Sequence, residues 1–230
     1  MPEKPTDEQL LKEVREILNE FEGKLVEHLG PVEQTTTRTR LLRLFEVLKQ
    51  ASLRRIVDLA DAAHEMFRQK RLVPACTLTR SVFETVGILY YIHKKLVEHT
   101  EKSDPESIHN LLMSAVFGRK DTDWPEKSIQ VLTAIDHIDK EFQGCRSEYD
   151  HLCEYAHPNL KGGYGTYVRL EGDKLESHFG MNPLEFEMGL FGLGSLRLIL
   201  VMGAEVNNRL CAFHPKFVAM AEKYAPNLPL

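Results

Sequence analysis

Hydrophobic residues recur at helical spacing along most of the chain. In the N-terminal segment they lie three or four positions apart, on one face of a helix: Leu10, Leu11, Val14, Ile17, Leu18, Phe21 and Leu25. Thr6 and Gln9 form a capping-box pattern that predicts the start of this helix, and Gly30-Pro31 predicts its end. The chain therefore begins with an amphipathic helix.

The same spacing predicts two long helices after the first one. One of them runs from residues 35–37 towards Arg71, with a bend or a break at Ala51-Ser52. The next carries Pro74 in its first turn, where a missing amide hydrogen is tolerated, and extends to about Glu101. Long amphipathic helices of this kind bury their apolar faces against one another, so they predict a bundle.

Two motifs predict the starts of shorter helices. Ser103-Asp104-Pro105-Glu106 and Asp123-Trp124-Pro125-Glu126 each place a capping residue and a proline ahead of a glutamate. The helices that they begin are predicted to end near Phe117 and Phe142. Because both starts combine three independent signals, they are the clearest boundaries in the central part of the chain.

The pattern changes in the last third of the chain. A short helix begins at about Arg146 and has to stop at His157, because Pro158 cannot continue it. A flexible loop follows at 161–165, and a hairpin of two strands follows at 166–170 and 174–179. Asn182-Pro183 begins the last long helix, and Pro215 restarts a short terminal helix. The sequence thus predicts one all-α domain over residues 1–230. It is a helical bundle of about six to eight helices with one small β-hairpin inserted before the last long helix.

Composition and charge narrow the class of protein. The 230 residues carry a formal net charge of −5, which disfavours an overall electrostatic grip on nucleic acid, so we expect no DNA partner. The four cysteines form no Cys-x-x-Cys pair and are predicted to be reduced thiols. The apolar run 188–204 contains Arg197 and is shorter than the roughly 20 residues of a membrane span. We therefore predict a soluble, cytoplasmic protein without a membrane partner.

Three charged side chains lie within apolar helical surfaces and need partners. Arg80 and Glu84 lie one turn apart on the third helix, and Arg197 lies in the apolar last helix. A charge buried alone is strongly destabilising. Arg80 and Glu84 form either a structural ion pair or a polar cluster that lines a cleft. We hypothesise that Arg80, Glu84, His157 and Arg197 meet in one network.

The short helix over 146–157 carries a second polar group. Tyr149, Cys153 and His157 lie four positions apart, so they share one face, and Arg146 begins the same stripe. A histidine titrates near neutrality, which suits acid–base chemistry or contact with a phosphate. The structural alternative for His157 is to cap the last carbonyl groups of the helix.

These two segments resemble a family of uncharacterised prokaryotic helical proteins. Leu-Thr-Arg-Ser-Val-Phe-Glu at 78–84 looks like the family's Arg-x-x-x-Glu helix, and the run from Tyr149 to Pro158 looks like its Tyr-x-x-Leu-Ser/Cys-x-x-x-His-Pro helix. That family is similar in turn to HEPN-like bundles, which include abortive-infection and toxin ribonucleases. The resemblance implies a bundle, often dimeric, with a metal-independent RNA cleavage site built from arginine and histidine.

The resemblance to HEPN ribonucleases also singles out Arg146 and His151. Those enzymes carry an arginine, a polar residue and, after four to six intervening positions, a histidine, and Arg146-Ser147 with His151 fits this spacing. Five positions apart on a straight helix, the two side chains are predicted to point about 140° apart. Arg209 and His214 match the same spacing.

The leading functional hypothesis is a HEPN-like protein of a defence or toxin system that acts on RNA without a cofactor or metal and forms a homo-oligomer, most simply a dimer. The candidate catalytic residues are His157, Arg80 and Glu84. The candidate binding residues lie beside them or on neighbouring helix faces: Tyr149, Cys153, Arg146, His151 and Arg197.

Three alternatives remain open on the sequence. The first is a non-catalytic module that dimerises through an exposed helix, in which the same polar residues only hold the bundle together. The second is a di-iron carboxylate site that combines pairs such as Asp61/His64 with Glu46 and Glu84. The third is nucleophilic catalysis by Cys153 with His157, one helical turn away.

Overall fold

The fold is a helical bundle with one small hairpin, as predicted. The computed structural model describes residues 5–31, 36–120, 123, 125–171, 176–180 and 185–224. Within these ranges it contains eight helices: α1 (Asp7–Glu22), α2 (Thr37–Arg68), α3 (Leu72–Glu101), α4 (Pro105–Phe117), α5 (Val131–Asp139), α6 (Cys145–Ala156), α7 (Gly165–Tyr167) and α8 (Glu185–Tyr224). The hairpin pairs β1 (Val168–Glu171) with β2 (Glu176–Phe179) and immediately precedes α8 in the described chain.

Helix α1 begins as predicted and ends earlier. The Thr6 side chain and the Gln9 side chain cap it reciprocally, which confirms the capping box. The predicted end at Gly30-Pro31 is wrong, because the chain leaves the helix at Gly23. Two further backbone bonds return to α1, from the amides of Lys24 and Leu25, and then the Val26 amide donates to Gln50 Oε1 of α2 at 2.9 Å.

Helix α2 is unbroken, so Ala51-Ser52 marks no interruption. Thr36 caps its start, in agreement with the predicted boundary at 35–37. The helix stays continuous because its apolar face is buried over its whole length, from Leu41 to Phe67. An amphipathic face that packs on a core throughout outweighs a weak local propensity to bend.

The helix start predicted at Asp123-Trp124-Pro125-Glu126 is wrong. Trp124 lies outside the described residues, and Glu126 accepts a hydrogen bond at 3.0 Å from the amide of Arg119. The Ser128 amide donates in turn to the Arg119 carbonyl at 3.2 Å. This exchange of backbone hydrogen bonds replaces a first helical turn, and α5 begins only at Val131. The start predicted at Asp104-Pro105 is confirmed.

The segment after α6 is ordered more tightly than predicted. The loop expected at 161–165 is a π-helical turn, Leu160–Tyr164, that continues directly into α7. The Asn159 side chain starts this turn by accepting hydrogen bonds from the amides of Lys161 and Gly162 at 3.0 and 3.1 Å. The hairpin that follows is confirmed, although the turn expected at 171–173 extends beyond the described residues.

Helix α8 runs through Pro215, so the predicted restart at this residue is wrong. Pro215 is exposed, and the aromatic residues on either side of it, Phe213 and Phe217, are buried. Phe217 packs on Phe45 of α2 with ring centroids 5.0 Å apart. These contacts hold the helix together across the one hydrogen bond that proline removes. The start predicted at Asn182-Pro183 lies outside the described residues.

Helix α3 is the centre of the bundle and packs against α2, α4, α5, α6 and α8. It is the one helix in the described part of the chain that is long and apolar enough to cross a membrane, and 56% of its most apolar window is buried inside the bundle. That burial is typical of the core helix of a soluble protein.

Candidate functional site

Helix α6 packs against α3 and brings a tyrosine onto an arginine–glutamate pair. Arg80 and Glu84 lie one turn apart on α3, and Arg80 Nη2 is 2.8 Å from Glu84 Oε1. The hydroxyl of Tyr149 on α6 donates to Glu84 Oε1 at 3.0 Å. The same hydroxyl accepts from Arg80 Nε and Nη2 at 3.4 and 3.3 Å. The two motifs of the resemblance are therefore in direct contact.

Burial and the neighbouring charges fix the protonation of this cluster. Burial raises the pKa of the Tyr149 phenol to about 12; the Glu84 carboxylate adds to the shift, and the hydrogen bond with Arg80 opposes it. Burial alone would lower the pKa of Arg80, but the hydrogen bond with Tyr149 and the charge of Glu84 raise it. At neutral pH the cluster thus holds a guanidinium group and a neutral phenol.

The cluster remains accessible to solvent. The Arg80 side chain is 30% exposed and the Glu84 side chain 22% exposed. Among the described residues, none accepts a hydrogen bond from Arg80 Nη1. A guanidinium group with a free pair of N–H donors in a half-buried position can receive an anionic oxygen without releasing Glu84.

Cys153 and His157 continue the face of α6 that begins at Tyr149. Cys153 is half-buried, and its charge when ionised would act on Arg80. His157 follows the last residue of α6 in an extended conformation, with its amide bonded to the Cys153 carbonyl. Its side chain is exposed and makes no hydrogen bond or ion pair with the described parts of the chain. The imidazole is therefore free to act on a ligand.

Arg146 and His151 both line an open depression of about 600 Å³ on the solvent side of α6. Arg146 is already paired there, at 2.6 Å with Asp136 and at 2.9 Å with Asp150. The His151 ring lies 5.3 Å from that of Phe191. Three carboxylates line the depression beside two formally charged cations, so a phosphate would have to displace carboxylates from Arg146.

Arg197 does not belong to the α3–α6 cluster, and the His157 side chain makes no hydrogen bond or ion pair with it, which corrects the predicted four-residue network. Its side chain is 45% exposed and forms an ion pair with Glu13 of α1. Glu84, the acceptor expected for it, is occupied by Arg80 and Tyr149. The apolar sequence around Arg197 suggested burial on all sides, but one face of α8 is open to solvent at this point.

Comparison of the chain with family models, curated proteins and solved structures found no match.

The carboxylates of the di-iron alternative are held apart from one another. Glu46 contacts Lys49 and His214. Asp61 lies 2.5 Å from Arg15. Within the ranges that the structure describes, no group of three or more histidine, cysteine or acidic side chains is placed to hold a metal ion. The ligand set proposed for that alternative is thus not assembled.

Sequence reasoning missed a second polar group, which lies between α3 and α8. His93 and Thr100 of α3 and Arg209 of α8 line a cavity there. His93 and Thr100 are seven positions apart and share a helix face with the apolar residues around them. A search for polar residues within the apolar stripe of α3 beyond Glu84 would have found them.

Proposed function

We propose that this protein is a cytoplasmic HEPN-like helical bundle that cleaves RNA without a metal ion, as a component of a defence or toxin system. The main support for the proposal is the hydroxyl of Tyr149 on α6, which contacts both Arg80 and Glu84 of α3. The two halves of the resemblance lie more than sixty residues apart in sequence and meet at this hydroxyl. His157 ends the helix that supplies Tyr149.

Each residue has a defined role in the proposed reaction. Arg80, held in position by Glu84 and Tyr149, binds the scissile phosphate through its free Nη1 group and stabilises the charge that develops on it. His157 accepts the proton of the adjacent ribose 2′-hydroxyl, whose oxygen attacks phosphorus. The bond to the 5′-oxygen breaks, that oxygen takes up a proton from water, and the protonated His157 returns its proton to the solvent. The products are a 2′,3′-cyclic phosphate and a 5′-hydroxyl.

The test is cleavage of total RNA by the purified protein in the presence of EDTA. We compare wild type with His157→Ala and Arg80→Met, and use His28→Ala, an exposed histidine in the loop after α1, as the matched control. Thermal melting of each variant establishes that it is folded. The proposal predicts cleavage by wild type and the control, and at least a hundredfold loss in the other two variants.

Two results would contradict the proposal. Cleavage at an unchanged rate in folded His157→Ala and Arg80→Met would move the activity to another site, with Arg146 and His151 as the next residues to replace. The absence of cleavage by folded wild-type protein across RNA substrates would refute the ribonuclease and favour the second candidate function below.

A dimerising interaction module is the second candidate, because α8 exposes an apolar face. Leu198 and Val201 are 41% and 46% exposed, and a side chain at Gly194 would meet nothing within 4 Å. If two copies of α8 pack antiparallel about a two-fold axis at Val201, Arg197 lies opposite Glu205 of the partner subunit. The apolar centre suits a second copy of this chain, and Arg197 and Glu205, which pair with Glu13 and Arg209 within one chain, meet as opposite charges across the axis.

Sedimentation across a range of protein concentrations tests this second candidate. Val201→Glu places two carboxylates face to face at the proposed axis and is expected to convert a dimer to a monomer. Leu132→Glu, which changes an equally exposed apolar residue of α5, is the matched control and should leave the dimer intact. A monomeric wild-type protein at high concentration would refute the interface.

A further inference from the structure

A half-open cavity of about 290 Å³ lies between α3 and the C-terminal half of α8. Its apolar wall includes Val97 of α3 and Phe213 of α8. His93 is the first residue of α3 that lines the cavity, and more than two helical turns separate it from Glu84. The cavity is therefore distinct from the α3–α6 cluster. The volume lies at the lower end of the range for ligand sites, and it suits a small molecule better than a dinucleotide.

Thr100 lines this cavity, and its buried hydroxyl makes no hydrogen bond with the described residues. Three other threonines of the same helix, Thr77, Thr79 and Thr85, each donate to the carbonyl four residues earlier, at 2.8 to 2.9 Å. Thr100 Oγ1 is buried and makes no such bond with the described residues. A buried polar group left unpaired is costly, so a rotation of the Thr100 side chain that turns its hydroxyl towards a ligand would be favourable.

His93 is the second polar side chain of the cavity with an unused hydrogen-bonding atom. It is 9% exposed, its ring stands edge-on to Phe213, and its Nδ1 has no partner among the described residues. Burial lowers the pKa of His93, and the charges of Arg209 and Lys94 lower it further. A neutral imidazole offers one donor and one acceptor.

Cationic side chains outnumber carboxylates among the residues that line the cavity. Lys216 is exposed and forms no ion pair within the described parts of the chain. Arg209 uses Nε to reach Glu205 at 2.8 Å and Nη1 to reach Glu141 at 2.5 Å, which leaves its Nη2 group free. Glu101 is the one acidic residue of the lining. An anionic group therefore meets one unpaired cation, Lys216, and the remaining N–H pair of Arg209, whose charge Glu205 and Glu141 already offset.

We propose that this cavity binds a small carboxylic acid with an apolar body. The carboxylate contacts Lys216 and Arg209 Nη2. The apolar body packs between Val97 and Phe213, and Thr100 supplies a hydrogen bond to the ligand. The class of ligand follows from the combination of apolar wall, unpaired hydroxyl and cationic rim. It does not depend on RNA cleavage at the other site.

The first experiment uses benzoate as the probe and benzyl alcohol as its uncharged counterpart. Each is titrated into the full-length protein while amide and side-chain resonances are followed by NMR. Benzoate is expected to shift the signals of Thr100 and Phe213 and to bind with a Kd on the order of 1 mM, as its small number of atoms allows. Benzyl alcohol is expected to bind about tenfold more weakly.

Two variants locate the contacts. Lys216→Met removes an unpaired surface cation and should weaken benzoate binding about fivefold while leaving benzyl alcohol unchanged. Thr100→Val keeps the shape of the side chain, so it should leave thermal stability unchanged or raised and weaken benzoate about fivefold. Lys140→Met, at an exposed lysine after α5, is the matched control and should change neither affinity.

Three outcomes would overturn the proposal. The first is the absence of shifts at Thr100 and Phe213 with both probes. The second is equal affinity for benzoate and benzyl alcohol, which would refute recognition of an anion. The third is unchanged benzoate affinity in folded Lys216→Met and Thr100→Val. Loss of RNA cleavage in His157→Ala leaves this binding site unaffected, so the two proposals fail separately.

Discussion

Replacing Tyr149 by phenylalanine tests how the cluster between α3 and α6 is held together. The substitution keeps the ring, which lies 5.6 Å from the Arg80 guanidinium carbon, and removes only the hydroxyl. It therefore deletes one hydrogen bond to Glu84 and two from Arg80 without creating a large cavity. The direct bond between Arg80 and Glu84 remains.

The expected loss of stability follows from the partners and from their exposure. A hydrogen bond to a charged group contributes about 1.5–3 kcal/mol when it is well buried. The side chains of Arg80 and Glu84 are 30% and 22% exposed, so in the variant water replaces part of the hydrogen bonding that the Tyr149 hydroxyl provides. The two bonds from Arg80, at 3.3 and 3.4 Å, are also long. We expect Tyr149→Phe to reduce the free energy of unfolding by about 1–2 kcal/mol.

Urea unfolding and thermal melting measure this loss. For a chain of this size, about 1–2 kcal/mol corresponds to a Tm lower by about 2–8 °C. Tyr167→Phe, at a tyrosine that is 41% exposed, is the control and should change the free energy by less than about 0.5 kcal/mol. A double-mutant cycle with Arg80→Met then gives the coupling between the two side chains. If Tyr149→Phe is as stable as Tyr167→Phe, or if the coupling is zero, the reasoning is refuted.

Three further predictions concern the core, the pH dependence and the turn after α6. Phe217→Ala removes a fully buried ring and should cost about 3–5 kcal/mol in urea unfolding, whereas a cost below about 1 kcal/mol would contradict its place in the core. The pKa of Tyr149 is raised in the folded protein, so the phenol of the unfolded chain ionises at lower pH, and the stability that Tyr149 contributes is present below about pH 10 and is lost as pH rises towards 12. Urea midpoints should therefore fall more over this pH window in wild type than in Tyr149→Phe. Equal falls in the two proteins would argue against the pKa shift. Gly162→Ala places a Cβ 2.1 Å from the carbonyl oxygen of His157 and should disrupt the π-helical turn, which faster amide hydrogen exchange in 160–164 would show. In the control variant Gly163→Ala the new Cβ lies 3.7 Å from its nearest neighbour, so the amides should exchange as in wild type.

The helix boundaries that the sequence predicted correctly are those that depend on interactions between neighbouring residues. The capping box of Thr6, the cap of Asp104 and the stop before Pro158 each depend on a few neighbouring residues, and all three hold in the structure. The boundaries that failed depended on partners outside the motif itself. Asp123-Trp124-Pro125-Glu126 has a start signal, but the backbone there pairs with Arg119 instead.

The candidate site shows the same division. The one-turn spacing of Arg80 and Glu84 made their ion pair predictable, because residues four positions apart on a helix are neighbours. The placement of Tyr149 on that pair required the packing of α6 on α3, which no local pattern encodes. The pairing of Arg197 with Glu13 was missed for a related reason, since hydropathy reports how apolar a helix is and not which of its faces remains open.

The sequence by itself determined the helical class, the caps and the stripes of apolar and polar residues, because these depend on interactions within one or two turns. Only the tertiary structure decided which stripes meet. It joined Tyr149 to Arg80 and Glu84, and it left Thr100 without the hydrogen bond that the other threonines of α3 make. Contacts between helices depend on the relative position of whole faces, and that position follows from the packing of the entire core.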